Sequence, residues 1–374
     1  MVTKCLGDIF SVKSGDGIAV SNLTSYGKYP VYGGNGIAGY CNRANVTGSR
    51  MIIGRVGEKC GNINITQCDS WISDNAFMVT PKIDYNMDYM RFLLEHINLN
   101  DYANRNAQPV ISGKILYAIE TPYAEQIEEQ SLIAKHLSSF DTYIDSLTEL
   151  IEKKRNIRDG ALEDLVSGRT RILKAAAWKE YTVEEITSAV ITGGTPSTSH
   201  SEYYGGSIPW LSSTEIHQKY IAHPTTYITE AGLQNSSAKI APENSVLIAL
   251  AGQGKTRGTA AYLGKAMALN QSLAALISND KCDSKFLFYL MDTMYLRLRE
   301  LSSGDGGRGG LNKKLIKSVI VNIPVDINEQ KAIADALTAM DEEITNLEAE
   351  RDKMMQIREG AMDDLLTGRV RLNV

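Results

Sequence analysis

The chain has 374 residues, of which 43 % are hydrophobic and 22 % charged, so it is long enough for two or three domains and typical of globular proteins. No run of eighteen uncharged apolar residues occurs, and the first residues lack the apolar segment of a secretory leader. We therefore expect a cytoplasmic protein with no membrane partner. The five cysteines include no Cys-x-x-Cys pair, which predicts free thiols rather than disulfides or a zinc site.

The net charge of −5 is distributed unevenly. Residues 1–108 and 178–320 carry +1 and +2, whereas residues 109–177 and 321–374 carry −2 and −6. The acidic excess lies on the two segments that the sequence predicts to be helical, which suits a protein partner better than a phosphate backbone. The other two segments remain free to present local positive charge.

Residues 1–108 are predicted to form a globular block of short strands and tight turns. Its β-type runs lie at 29–36 and 50–57, where aromatic and β-branched residues are interrupted by glycine. A helix is expected at 88–97, because its apolar residues recur at helical spacing.

Residues 109–177 are dominated by a long helix, predicted at about 125–167, and residues 321–374 repeat it. Aligned without a gap, residues 129–172 and 329–372 are identical at 18 of 44 positions. In both copies apolar residues alternate in steps of four and three, which is the spacing of a coiled-coil seam. The predicted seam consists of Ile133, Leu137, Phe140, Ile144, Leu147, Ile333, Leu337, Met340, Ile344 and Leu347.

Two narrow seams of equal length bury each other most economically. We therefore expect an antiparallel pair, with pseudo-twofold symmetry and one globular block at each end. At about 1.5 Å per residue, such a helix spans on the order of 60 Å and would be a spacer of fixed length.

Residues 178–320 are predicted to be a second globular block with a similar plan. Turn clusters are expected at 193–197 and 203–210, and a buried strand at 245–250 runs into a glycine loop. A helix at about 284–301 and a flexible loop at 304–312 precede a strand that reaches Pro324. The predicted fold class is thus mixed α/β (α+β), with two pseudo-twofold-related globular domains separated by two long antiparallel coiled-coil helices.

One stretch is similar to a nucleotide-binding P-loop. Residues 249–256, Ala-Leu-Ala-Gly-Gln-Gly-Lys-Thr, follow a predicted strand and end in Gly-Lys-Thr. Alanine stands where the motif has its first glycine, and Gly258 and Gly264 disfavour the helix that should follow. A P-loop enzyme is therefore an alternative, and contact of Lys255 and Arg257 with DNA is the favoured interpretation.

A second alternative is an adenine methyltransferase that acts by itself. Only Thr121-Pro122-Tyr123 approaches the proline-containing corner that such enzymes place near the target amine, and it lacks the amide or carboxylate and the second proline. The favoured interpretation is a turn before the helix. Because the five histidines are scattered and no Ser/His/Asp set is identifiable, no catalytic residue and no metal site are predicted.

Aromatic, amide and hydroxyl side chains lie beside basic residues in both globular blocks. Arginine, asparagine and glutamine can form paired hydrogen bonds with base edges, which makes these residues candidates for DNA contact. Turn formation and core packing are their alternative roles. The candidates are Tyr32, Asn35, Tyr40, Arg43, Arg55, Lys59, Arg105, Thr195, Ser197, Tyr204, Trp210, Ser212, Lys255, Arg257 and Arg308.

The order of these segments resembles the specificity subunit of type I restriction-modification systems, over essentially the whole chain. The most specific likenesses are Gly-Thr-Pro-Ser at 194–197 followed by Tyr-Gly-Gly-Ser-Ile-Pro-Trp at 204–210, and Tyr-Pro-Val-Tyr-Gly-Gly-Asn-Gly at 29–36. The Glu-Gln-x-x-Ile-Ala openings at Glu129 and Glu329 are also similar. Residues 14–17 read Ser-Gly-Asp-Gly, so the family's opening loop cannot be carried over to the first block.

The resemblance implies a sequence-specific DNA-binding adaptor without catalytic machinery. Residues 1–108 and 178–320 would be target-recognition domains that each read one half of a bipartite duplex target. Residues 109–177 and 321–374 would be spacer regions on which two methyltransferase subunits dock, and two motor-nuclease subunits would join for restriction. S-adenosylmethionine, ATP and Mg²⁺ would belong to these partners and not to this chain. A scaffold that binds only protein is the remaining alternative.

Overall fold

The computed structural model describes residues 1–105, 108–173, 177–252, 254–302 and 310–372. The chain divides into two compact units, each of which contains one globular block and part of both long helices. Unit 1 consists of Met1–Leu150 and Leu347–Val374, and unit 2 consists of Ile151–Asn346.

Two helices are much longer than the others. The described α-helices are α1 (Leu6–Ile9), α2 (Met87–Ile97), α3 (Gly113–Tyr117), α4 (Ile127–Val166), α5 (Glu230–Gln234), α6 (Ser284–Thr293), α7 (Tyr295–Ser302), α8 (Lys313–Lys317) and α9 (Ile327–Thr367). Short 3-10 turns lie at Val20–Asn22, Leu99–Tyr102, Ser201–Tyr203 and Ser213–Gln218. The 40 residues of α4 and the 41 residues of α9 confirm the predicted pair of long helices.

Unit 1 contains short, mostly antiparallel sheets. Their strands are β1 (Val2–Cys5), β2 (Phe10–Ser14), β3 (Tyr29–Gly33), β4 (Gly36–Cys41), β5 (Met51–Gly54), β6 (Ile63–Ile65), β7 (Trp71–Ile72), β8 (Ala76–Pro81) and β9 (Glu120–Tyr123). The strand orders are β2-β8-β5-β6, β4-β3-β7 and β1-β9. Strands β3 and β7 pair in parallel, with Val31 opposite Trp71.

Unit 2 has the same kind of sheets with more strands. They are β10 (Trp178–Thr182), β11 (Thr187–Thr192), β12 (Tyr204–Leu211), β13 (Tyr220–Ile221), β14 (Thr226–Ile228), β15 (Lys239–Ala241), β16 (Val246–Ala249), β17 (Ala260–Leu263), β18 (Met267–Leu269), β19 (Leu273–Ser278) and β20 (Ile320–Pro324). The strand orders are β11-β19-β16-β17-β13, β14-β12-β18-β15 and β10-β20.

The two units share one plan. The order β2-β8-β5-β6 corresponds to β11-β19-β16-β17, the parallel pair β3-β7 to β12-β18, and the pair β1-β9 to β10-β20. The repeat that the sequence shows in the helices therefore extends to the backbone of the globular blocks. The predicted mixed α/β fold with two long helices is confirmed.

Two predicted elements of unit 2 are wrong in detail. Residues 203–210 are predicted as a turn cluster, but residues 204–210 form most of strand β12. Gly205 has a φ of 74° and lies in an irregular stretch of the pairing with β14. The predicted single helix at 284–301 is divided into α6 and α7. The N–H of Met294 donates to the carbonyl oxygen of Met291, three residues back instead of four, which ends the α-helical ladder.

The N-terminal part of each long helix packs in a globular core. Ile133 and Leu137 of α4 pack in the main core of unit 1, and Ile333 and Leu337 of α9 pack in the main core of unit 2. The predicted seam residues therefore serve the globular blocks as well as the contact between helices. Leu147 and Ile344 are also buried, and the remaining predicted seam positions, Phe140, Ile144, Met340 and Leu347, are half-buried.

Within unit 1 the two long helices run antiparallel. Asp141 of α4 forms an ion pair with Arg358 of α9. Earlier on α4, the buried Glu129 accepts two hydrogen bonds from Arg371, which lies just beyond the end of α9. Such a bidentate pair fixes both the distance and the angle between carboxylate and guanidinium.

Unit 2 repeats these ion pairs with the two helices exchanged. Asp341 of α9 accepts from Arg158 of α4 at 2.7 Å, and Glu329 accepts from Arg171 at 2.7 and 2.9 Å. Burial raises the pKa of Tyr289, so its hydroxyl stays protonated and donates to Asp341 at 2.8 Å. Residues that are 200 positions apart thus have the same role in their respective units.

A buried glutamine joins each long helix to its globular block. The side chain of Gln130 accepts from the backbone N–H of Asn86, just before α2, and donates to the carbonyl oxygen of Ala124 and to the hydroxyl of Tyr123. Gln330 makes the matching contacts with the N–H of Asp283 and with backbone carbonyl oxygens. Both glutamines are fully buried.

We predict that Gln130→Ala destabilises the chain by about 3 kcal/mol, because buried donors and acceptors lose their partner while no water can replace it. The measurement is urea-induced unfolding of the purified chain. Gln126→Ala is the matched control, since Gln126 lies immediately before α4 and is exposed. Equal losses of stability in the two variants would contradict the assigned role of Gln130.

Candidate nucleic-acid interface

In unit 1 several loops approach each other so closely that their backbones are in contact. A Cβ atom at Gly34 would lie 2.7 Å from the carbonyl oxygen of Val56, and one at Gly54 would collide with the carbonyl oxygen of Gly34. Only glycine leaves this space free. We call these loops, which lie at 14–17, 33–36, 55–61 and 73–75, loop cluster 1.

Unit 2 has a corresponding loop cluster 2, which consists of residues 193–197, 250–258 without 253, and 270–272. A Cβ atom at Gly193 would collide with the carbonyl oxygen of Leu269, so glycine is required here too. The hydroxyl of Thr195 donates to the side-chain oxygen of Gln271 at 2.7 Å. This contact links the predicted Gly-Thr-Pro-Ser loop to the turn between β18 and β19.

Each opening loop is held by a tryptophan, but the two tryptophans come from different strands. Trp71 on β7 donates its indole N–H to the carbonyl oxygen of Asp16, and Trp210 on β12 donates to that of Gly194. In the parallel pairs, Val31 lies opposite Trp71 in unit 1 and Trp210 lies opposite Ala268 in unit 2. The tryptophan therefore lies on the second strand of the parallel pair in unit 1 and on the first strand in unit 2. Its hydrogen bond to the opening loop is present in both units.

Two residues that the sequence did not single out hold the loops that follow β5 and β16 in place. Asn100 donates its side-chain amide to the carbonyl oxygens of Glu58 and Cys60, at 2.9 and 2.8 Å. In unit 2 Arg299 donates to the carbonyl oxygen of Gly254. Neither residue carries a recognisable sequence signal, since the partner of each is a backbone atom of a loop that is distant along the chain.

Four predicted contact residues of unit 1 come together at loop cluster 1. Asn35 is exposed at the hairpin tip, and Arg55 and Lys59 lie in the loop between β5 and β6. Arg105 joins them through Asn100, to whose side-chain oxygen it donates at 2.6 Å. The cluster thus presents amide and basic side chains on one surface.

The other predicted residues of unit 1 lie on or near β3 and β4. The guanidinium of Arg43 stacks over the ring of Trp71, 4.4 Å from its centroid, and Tyr40 is half-buried on β4. Tyr32 is only 8 % exposed and packs in a small core with Ile52, so the structure gives it a packing role.

In unit 2 the hydroxyl-bearing candidates mostly stabilise their own loops. Tyr204 donates to the carbonyl oxygen of Pro196 at 2.6 Å, and Ser197 and Ser212 are hydrogen-bonded to neighbouring hydroxyls. Trp210 is 9 % exposed and, like Tyr32, has a packing role.

The basic candidates of unit 2 lie around the loop that follows β16. Lys255 is exposed and Arg257 is half-buried. Arg308 lies outside the described residues. Among the described residues of loop cluster 2, the exposed polar side chains are therefore Thr195, Ser197, Lys255 and Gln271.

The loop that is similar to a P-loop has a different setting from that motif. After Thr256 the chain turns at Gly258, with a φ of 85°, and continues as strand β17. A P-loop leads into a helix, whose N-terminus binds the phosphates. Thr121-Pro122-Tyr123 is not the predicted turn but part of strand β9, which pairs with β1, and the hydroxyl of the buried Tyr123 accepts from the side chain of Gln130.

None of the described helices is long and apolar enough to cross a membrane.

Comparison with known proteins points to one family. The model of the type I restriction modification DNA specificity domain matches residues 1–155 and 176–354. The chain is 33 % identical over 155 residues to the EcoprrI specificity subunit of Escherichia coli, an alignment that covers 40 % of this chain and 38 % of that protein. It is 25 % identical over 303 residues to the putative MjaX specificity subunit of Methanocaldococcus jannaschii, covering 76 % and 68 %.

Solved structures show a similar fold. The S subunit of a type I restriction-modification system from M. genitalium superposes with a TM-score of 0.66 and 17 % identity, over 98 % of this chain and 96 % of that one. The HsdS subunit from Thermoanaerobacter tengcongensis gives a TM-score of 0.51 and 15 % identity, over 99 % and 97 %. Since the family model matches most of the sequence in two segments that contain the two loop clusters, the chain belongs to the family of type I restriction modification DNA specificity domains.

Proposed function

We propose that this chain is the DNA-recognition subunit of a type I restriction-modification enzyme, in which units 1 and 2 each bind one half of a bipartite target. The observation that carries the proposal is the pair of loop clusters, which share one backbone plan and present different side chains. A common frame with variable polar side chains suits direct readout of two different base sequences.

The chain has no catalytic role in this proposal. Methyl transfer would be performed by two methyltransferase subunits that dock on the acidic long helices, and cleavage by two motor-nuclease subunits. S-adenosylmethionine, ATP and Mg²⁺ would be bound by these partners. The reducing cytoplasm is the proposed compartment, in keeping with cysteines that are free thiols.

The long helices would set the distance between the two half-sites. Each of them continues without a break from one unit into the other, because α4 passes residue 150 and α9 passes residue 346. An unbroken helix has a fixed rise of about 1.5 Å per residue. The number of undefined base pairs between the half-sites would therefore follow from the helix lengths.

The purified chain alone should neither methylate nor cleave DNA. The assay is transfer of labelled methyl groups from S-adenosylmethionine to duplex DNA, together with a cleavage assay in the presence of ATP and Mg²⁺. Methyl transfer by the chain without any partner would refute the adaptor role.

Deletion of the gene should remove one bipartite methylated motif from the host chromosome. Exchange of residues 1–108 for the matching block of a relative should then change one half of that motif and leave the other half and the gap unchanged. Sequencing that detects methylated adenine is the measurement. A change in both halves would contradict independent readout by the two units.

Insertion of four residues in both long helices should lengthen the gap without changing either half-site. The positions are after Leu150 and after Asn346, where the chain passes between units, so every contact within a unit is kept. Four residues add about 6 Å along the axis, equivalent to one or two base pairs of roughly 3.4 Å each.

An active enzyme with an unchanged gap would show that the helices do not set the spacing. As the matched control, the same insertion in α4 alone should abolish modification, because only one of the two helices is lengthened.

A further inference from the structure

We propose that Arg55 reads a guanine in the half-site bound by unit 1, an inference that rests on the proposed function. Arg55 directly follows β5 and lies in loop cluster 1. Its backbone N–H donates to the carbonyl oxygen of Asn75 at 2.9 Å, and its own carbonyl oxygen accepts from Ile111 at 3.0 Å. The backbone is thus held on both sides, which fixes the point from which the side chain extends.

The guanidinium of Arg55 is oriented but not neutralised. Its Nη1 atom donates to the hydroxyl of Ser14 at 3.2 Å, and the group lies 5.4 Å from the ring centroid of Phe77. Its Nε atom is buried and has no hydrogen-bond partner. Among the described residues no carboxylate lies within ion-pair distance of it. A partly desolvated charge with a single neutral acceptor is costly, and a ligand that supplies further acceptor atoms would offset that cost.

The surroundings favour a base edge over a phosphate as that ligand. Ser14, which orients the guanidinium, also donates to the carbonyl oxygen of Asp74 and is followed two residues later by Asp16. Both aspartates are exposed residues of loop cluster 1, and their negative charge on this surface disfavours a phosphate group relative to an uncharged base edge. Guanine offers O6 and N7 in the major groove, which match the planar fork of an arginine.

Unit 2 has no arginine at the corresponding position. The backbone N–H of Leu250 donates to the carbonyl oxygen of Ser272 at 2.8 Å, as that of Arg55 does to Asn75. Leu250 is 9 % exposed and packs in the main core of unit 2. The guanine contact therefore belongs to the half-site of unit 1, and its counterpart in unit 2 must be read by other residues.

The test is the methylated motif of host cells that carry Arg55→Gln in the full chain. We expect one position of the motif, a guanine in the half that changes when residues 1–108 are exchanged, to accept other bases. Discrimination at this position should fall by at least about five-fold, the loss expected for one paired base contact. Arg55→Leu introduces the residue type that unit 2 has at the corresponding position, Leu250, and should reduce base discrimination at the same position of the motif.

Arg50→Gln is the matched control. Arg50 is an exposed arginine that precedes β5, at the opposite end of the strand from Arg55, and it should leave the motif unchanged. The thermal unfolding of all purified variants is compared with that of the wild-type chain.

Three results would overturn the proposal: a motif with every guanine retained in both Arg55 variants, a relaxed position in the other half, or weaker modification of all sites with unchanged base preference. The last result would indicate a phosphate contact or a purely structural role. Failure of the proposed function would give a different result from failure of the Arg55 proposal. If the chain is not a DNA-recognition subunit, deletion of its gene removes no methylated motif from the host chromosome.

Discussion

The architecture of each unit depends on polar groups that are buried at the start of a long helix. Gln130 and Gln330 are fully buried and use both ends of their amides to join the helix, the strand before it and the N-terminus of a globular helix. A buried amide is tolerated only when its donors and acceptors are paired. These contacts therefore fix one orientation of each long helix relative to its globular block. The ion pairs of Glu129 and Glu329 with the arginines beyond the opposite helix add a second constraint.

These contacts at the start of the long helices leave the loop clusters, which lie elsewhere in each block, free to differ in sequence. The loop clusters rest mainly on glycine contacts and backbone hydrogen bonds, with a few side chains such as Trp71, Trp210 and Asn100 that donate to loop carbonyl oxygens. The exchange of Trp71 and Trp210 between strands shows that even the residue that holds the opening loop can move without loss of the hydrogen bond. A frame of this kind can carry new base-reading side chains without refolding.

The long helices, the repeat and the positions of most strands could be predicted because they leave local periodic signals. The helix predicted at 88–97 corresponds to α2, for example, since its apolar face recurs within a few residues. The candidate site was predicted less well. Asn35, Lys59 and Arg105 do lie on the surface of unit 1, but Tyr32 and Trp210 are core residues. An aromatic residue beside a turn has the same local sequence in either role.

The sequence by itself determined the duplication, the family resemblance and the helical periodicity, because each of these depends on residues that are close together or are repeated at a constant distance. Only the tertiary structure decided which polar groups meet. Asn100 reaches the loop at 55–61, Arg299 reaches Gly254, and Ser14 orients Arg55, each across 40 to 45 residues of the chain. Ser14 and Arg55 also lie at the ends of two strands, β2 and β5, that are not neighbours in their sheet. Such contacts arise from the packing of sheets and loops in space, and no spacing along the chain encodes them.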